Sequence, residues 1–151
     1  MRRGSSPSVA MPEAGRVWLG LDYGERRIGI ATGQPLTGTA QPLKTLQNTG
    51  NPLPEIDALV REWRPAGIVV GLPLAADGTE SKMSRTVREF AGRLSDAHPA
   101  LDIVLHDERF SSRIADDRFR AARREGRARR KTARELDSHA AAVILESWLA
   151  E

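Results

Sequence analysis

No cysteine occurs in this chain, and that gap removes disulfide bonds, thiol catalysis and every cysteine-ligated zinc or iron–sulfur centre from consideration. The three histidines, His98, His106 and His139, are too few and too scattered for a metal site built on imidazole, so any metal would be held by oxygen. Aromatic residues make up only 5% of the chain, and Tyr23, Phe110 and Phe119 read as core or turn residues, not as a stacking platform for unpaired bases. No apolar run is long enough to span a bilayer, and the opening stretch "MRRGSSPSVAMPEAG" lacks the apolar core of a secretory signal. The expectation is a soluble protein of a reducing cytoplasm, without a membrane partner. Residues 1–15, rich in Ser, Pro and Gly, are expected to form a disordered tail, with Met11 as an alternative start.

What remains, residues 16–151, has the size of one domain with its own core. "VWLGLDYGERRIGIATG" reads as two buried strands joined by a tight turn at "YGER", and "TAQPLKTL" as a third strand at a sheet edge, because Pro42 has no N–H for a central ladder. In "EIDALVREW", Ile56, Leu59, Val60 and Trp63 fall on one helical face that Pro65 terminates. "GIVVGLPL" follows as a buried strand, and "SKMSRTVREFAGRL" as a helix with Met83, Val87, Phe90 and Leu94 on one face. "LDIVLHDE" is expected to be another buried strand. "SSRIADDRFRAARREG" reads as a helix behind a serine cap, residues 126–132 as a basic link, and "ARELDSHAAAVILESWLA" as a final helix. Antiparallel strands followed by strands alternating with helices predict a mixed α/β sheet with helices on its faces.

Four acids sit where such a sheet would gather them. Asp22 ends the first strand, Asp107 and Glu108 end the last, and Asp137 shares a helix face with Ala141, Ile144 and Trp148. Each alone has an ordinary explanation: an Asx-turn for Asp22 or Asp107, an arginine partner for Glu108 or Asp137. Converging together, carboxylates repel and shift their pKa values upward, and a divalent cation is the economical counterion. Phosphodiester hydrolysis uses such a cluster, with hard oxygen ligands around Mg²⁺ or Mn²⁺ and no nucleophilic side chain. Strand alternation sends Asp107 and Glu108 to opposite faces without saying which is inward.

Net charge is only +3, but "RFRAARREGRARRKTAR" concentrates Arg118, Arg120, Arg123, Arg124, Arg127, Arg129, Arg130, Lys131 and Arg134 against Glu125. Such a run is ordinarily a solvated surface; its density and its place just before Asp137 favour binding of a phosphate backbone. "GLPLAADGTESK" lacks the Gly-Lys-Ser/Thr of a P-loop and reads as a loop with Pro73 and Gly78 as turn formers.

Together, "LGLDYGERRIGIATG", "GIVVGLPLAADGTESKMS", "VLHDERFSS" and "RRKTARELDSHAAAVILESWL" closely resemble the YqgF family, whose members are described as pre-16S rRNA nucleases and, earlier, as Holliday junction resolvases. The resemblance runs from Arg16 to the C-terminus, with the blocks in family order. It implies a ribonuclease H-like fold: a five-stranded mixed sheet, its first three strands antiparallel, with helices on both faces. It also implies an acidic triad falling on Asp22, Glu108 and Asp137, which would hold Mg²⁺ or Mn²⁺, with Asp107 as an alternative ligand. Related resolvases often carry a fourth acid three residues beyond the last; here that position is Ala140, which leaves a second metal to substrate phosphate or Asp107. His139, at i+2 from Asp137, points to another helix face. Arg26, Arg27 and Arg109, with Arg123, Arg124, Arg127, Arg129, Arg130 and Lys131, are expected to position nucleic acid, either an rRNA precursor or branched DNA.

The implied activity is metal-dependent phosphodiester hydrolysis in 5′-end processing of pre-16S rRNA. A Holliday junction resolvase is the alternative within the same chemistry. A non-catalytic rRNA-binding assembly factor would gain nothing from three repelling acids beside a phosphate groove. An ATPase of the actin and sugar-kinase type has a similar first loop but needs two such lobes.

Overall fold

A computed structural model describes residues 16–109 and 133–151. The tail expected over 1–15, the helix expected to follow the last strand and the basic link over 126–132 lie outside the described residues. In chain order the elements are β1 (Trp18–Tyr23), β2 (Arg27–Gln34), β3 (Thr39–Gln47), α1 (Leu53–Trp63), β4 (Gly67–Leu72), α2 (Lys82–Ala97), β5 (Asp102–Asp107) and α3 (Ala133–Leu149). The sheet order is β3-β2-β1-β4-β5. β1 pairs antiparallel with β2, and β2 with β3, while β4 runs parallel to both β1 and β5. β3 is an edge strand, as Pro42 requires.

Strand alternation gives each face its own core. Leu19, Leu21, Ile28, Ile30, Ile68 and Val70 face α1 and α2, where they meet Ile56, Leu59, Val87, Phe90 and Leu94. Tyr23 belongs to this layer and stacks on Phe90 with ring centroids 4.5 Å apart. The opposite face carries Trp18, Ala31 and Val69 against Ala141, Ala142, Ile144 and Leu145 of α3. Trp18 also meets Trp148 at 4.4 Å, tying the first strand to the last turns of the chain's final helix.

Helix termini follow local chemistry. Ser81 and Ser84 form a reciprocal capping box that starts α2, and the Ser84 hydroxyl also donates to the Pro73 carbonyl. α1 ends at Arg64, which takes a left-handed conformation, with Pro65 behind it. One expectation needs correction: β5 is not a buried strand. It is the outermost strand beyond β4, so Asp102 is exposed and Ile103, Val104 and Leu105 are only half-buried.

A stripe of small residues sets how closely α3 approaches. In β2, Ile28 and Ile30 point one way, and Gly29, Ala31 and Gly33 point the other, toward α3. A Cβ on Gly29 would lie 1.9 Å from the Asp137 carbonyl oxygen, and one on Gly20 would lie 2.9 Å from the Ala141 carbonyl oxygen. The helix therefore rests main chain against main chain, with Asp137 over the end of β2.

Candidate active site

Asp22 lies on the α3 face of β1, one residue from the strand's end and opposite Gly29 in the β1–β2 register. Glu108 follows the last residue of β5, where its N–H donates to the Leu72 carbonyl at 3.0 Å and extends the ladder with β4 by one rung. Its side chain lies over Gly71: a Cβ there would come 2.9 Å from Glu108 Cγ. The missing side chain at Gly71 is what lets Glu108 lean across β4 toward β1. It comes within reach of Asp22, a contact that two carboxyls can turn into a hydrogen bond only by sharing a proton.

The environment shifts both groups. Burial, and then the charge of Asp137, push Asp22 up to about 6, although the hydrogen bond it accepts from Glu108 opposes the shift. Burial pushes Glu108 up to about 7, helped by the charge of Asp22, the hydrogen bond it donates and the charge of Asp107.

Asp137 approaches from α3, held by two features. Its main chain sits over Gly29, and the first turn of α3 is tied to β3, where the Thr45 hydroxyl donates to the Arg134 carbonyl at 2.5 Å and Arg134 Nη2 donates to the Thr45 carbonyl at 2.9 Å. The Asp137 carboxylate accepts from Arg27 Nε at 2.6 Å. Among the described residues, the arginine that pairs with it is thus a strand residue 110 positions earlier.

Asp107 is placed differently. Arg109 clasps it through Nε at 2.9 Å and Nη2 at 2.6 Å, and this contact holds its carboxyl below the usual range. Arg109 Nη1 also donates to the Ala76 carbonyl at 3.2 Å, joining the end of β5 to the β4–α2 loop. In that loop Gly78 turns at φ +90°, and Thr79 donates twice to Asp77. Arg26 is exposed on the β1–β2 turn. Arg123, Arg124, Arg127, Arg129, Arg130 and Lys131 lie outside the described residues.

His106 serves packing and His98 a helix end. His106 is buried and bonds Ser147 at 3.0 Å, and His98 at the end of α2 pairs with Asp57 of α1 at 2.6 Å. Among the described residues, no group of three or more His, Cys, Asp or Glu is drawn together tightly enough to hold a metal ion. The donor set nonetheless suits a hard divalent cation: Asp22 and Glu108 converge at a cost that burial and mutual repulsion impose, and Asp137 adds its charge beside them. Asp137 gives one oxygen, Oδ2, to Arg27, so an ion that it helped to hold would share the carboxylate with the guanidinium. Gly71 and Gly29, which set these approaches, carry no chemistry of their own. Their signal in the sequence is glycine recurring at alternate strand positions among Ile, Val and Leu.

This sheet, its first three strands antiparallel, its last two parallel to the first and helices on both faces, is the ribonuclease H-like arrangement. The sequence profile described as "RuvX: Holliday junction resolvase" matches residues 16–151, and the chain belongs to this YqgF/RuvX family. It is 44% identical over 140 residues to a protein of Azotobacter vinelandii named "Putative pre-16S rRNA nuclease", covering 90% of this chain and 94% of that one. A protein of the same name from Xanthomonas oryzae pv. oryzae is 45% identical over 148 residues, covering 93% and 94%. Among solved structures, Thermus thermophilus RuvC in complex with a Holliday junction superposes with a TM-score of 0.58, covering 89% of this chain and 95% of that one at 12% identity, a likeness of fold alone.

Proposed function

We propose that this protein is a divalent-metal-dependent nuclease of the cytoplasm that hydrolyses RNA phosphodiester bonds in 5′-end maturation of pre-16S rRNA. The observation that carries the reading is the pairing of Asp22 with Glu108 across Gly71, which brings two hard oxygen donors from distant strands onto one proton. The names of the relatives at 44% and 45% identity support the choice of substrate.

Asp22, Glu108 and Asp137 would hold Mg²⁺ or Mn²⁺. The ion, when bound, would supply charge stabilisation for an in-line displacement at phosphorus. The chain's own contribution is placement. β1 presents Asp22 from a fixed ladder, Gly71 lets Glu108 reach it, and the contact between α3 and Gly29 sets the height of Asp137. Arg26, Arg109 and the basic segment containing Arg123, Arg124, Arg127, Arg129, Arg130 and Lys131 would hold the phosphate backbone on the rim.

A second reading, cleavage of branched DNA junctions, is favoured by the family description and the RuvC-like shape. One experiment separates them. End-labelled single-stranded rRNA precursor and a four-way DNA junction are incubated with wild type and Asp22→Asn in Mg²⁺, in Mn²⁺ and in chelator. Metal-dependent cutting of the RNA alone, lost in the variant, is the expected result. Cutting of the junction alone would transfer the assignment to the second reading, and cutting that persists in Asp22→Asn would remove the acidic cluster from the mechanism.

A further inference from the structure

Arg27 is the first residue of β2 and points to the same face as Gly29 and Asp137. Its main chain has little freedom. The Arg27 carbonyl accepts from the Gly24 N–H at 2.9 Å, closing the β1–β2 turn. Asn48, just beyond β3, donates its N–H to the Arg26 carbonyl at 2.8 Å and its side-chain amide to the Gly24 carbonyl at 2.8 Å. The guanidinium therefore starts from a fixed base and delivers Nε to Asp137 Oδ2 at 2.6 Å.

Two further facts bear on what this contact does. The Arg27 and Asp137 side chains are 35% and 25% exposed, so the pair borders solvent and can exchange partners without opening the core. Asp137 is also the carboxylate whose charge acts on Asp22, so the ion pair belongs to the acidic cluster itself and not to a separate surface contact. A permanently cationic group is thus placed on one carboxylate of a set otherwise suited to a divalent ion.

We propose that Arg27 is the cluster's resident counter-charge, occupying Asp137 while no divalent cation is bound and competing with that cation for the Asp137 carboxylate. This rests on the metal-dependent reading above and adds a residue to it. Loading the ion and releasing the guanidinium are then one linked equilibrium: each disfavours the other by the same factor. Removing Arg27 strengthens metal binding, whereas a residue that merely presented Asp137 to the metal would weaken it when lost.

The test is Mn²⁺ binding to metal-stripped full-length protein without nucleic acid, followed by the electron paramagnetic resonance signal of the free ion. Wild type, Arg27→Gln, Arg27→Lys and Asp137→Asn are compared. The expected result is binding about fivefold tighter in Arg27→Gln, the scale of one partly exposed ion pair, with Arg27→Lys between it and wild type and Asp137→Asn weaker than all three. Wild-type binding with Arg27→Gln equal or weaker overturns the proposal and leaves the metal-dependent reading intact. No binding to any of these proteins at millimolar Mn²⁺ overturns both. A second measurement covers the case in which Arg27→Gln does not fold. In unsubstituted protein, the Arg27 Nε–H resonance, assigned by its loss in Arg27→Lys, is expected to shift on titration with Mg²⁺, and a resonance unmoved at saturating Mg²⁺ overturns the proposal.

Discussion

Burial raises Asp22 and Glu108 above their ordinary values, and this fixes the sign of a pH effect. Between about pH 4 and about pH 7 the folded protein binds more protons at these groups than the unfolded chain does. The stability of the metal-free protein therefore falls as pH rises through that window. Asp107, lowered by Arg109, works in the opposite direction, but only below the usual carboxylate range. Asp137, held by Arg27, contributes its charge to the raised value of Asp22. Thermal melts in chelator are expected to show a lower Tm at pH 8 than at pH 6 in wild type. Asp22→Asn should reduce that difference and raise Tm at pH 8 by about 2–4 °C, the shift that ~1 kcal/mol gives a chain of this size. Gly71 supports a complementary test. A methyl there would meet the tip of the buried Ile144 at 2.6 Å and the middle of the Glu108 side chain, Cγ, at 2.9 Å. Gly71→Ala is expected to cost about 1–3 kcal/mol of stability and to displace Glu108 from Asp22, seen as loss of metal-dependent cleavage in protein that still unfolds cooperatively. The four acids were legible as candidates because each stands at an element's end or on a packed helix face. Which of Asp107 and Glu108 faces Asp22 was not legible, because alternation separates the two without naming the inward side.

At the level of elements, α3 is the component on which the site's height depends. It carries Asp137, it covers β1, β2 and β3, and its first turn is fastened to β3 through Thr45 and Arg134. Gly29 is a closer approach of the helix to the sheet than Gly20, and the neighbouring atom is a backbone oxygen that cannot rotate away. Gly29→Ala is therefore expected to cost about 1–3 kcal/mol and to lift Asp137 with the helix. Urea unfolding would read the first effect and Mn²⁺ affinity the second; an unchanged midpoint would show that α3 does not bear on this point. Periodicity was sufficient to identify α1 and α2, because Ile56, Leu59, Val87, Phe90 and Leu94 fall at helical spacing and all are buried. It was not sufficient for β5, whose apolar composition suits a central strand although it occupies the rim. Edge position depends on strand order, and β5 carries no residue such as the Pro42 of β3 to mark it. The Arg27–Asp137 pair was hidden for a related reason, since its partners lie 110 residues apart.

At the scale of the whole molecule, the strand order brings the ends of β1 and β5 and the start of α3 to one end of the sheet, so that Asp22 comes under the influence of both Glu108 and Asp137. The mixed sheet with helices on both faces was readable from the sequence, because three antiparallel strands followed by alternating helices and strands leave few ways to pack. Charge enters at the same scale. If the basic segment over 123–131 grips the backbone, affinity for single-stranded RNA should fall linearly on a log–log plot against salt, and each Arg→Ala in it should reduce the slope by roughly 0.7. Filter binding of Arg123→Ala, Arg127→Ala and Arg130→Ala between low and moderate salt measures this; slopes unchanged in all three would assign the segment no contact. The glycine stripe under α3 also makes the molecule tolerant in one direction only. Trimming a core side chain such as Leu145 leaves a void but cannot let the helix sink, because main chain already meets main chain. Adding bulk can only raise it. Spacing at the acidic end is thus governed by a hard stop, and drift in the packing of the core can loosen the site without ever crushing it.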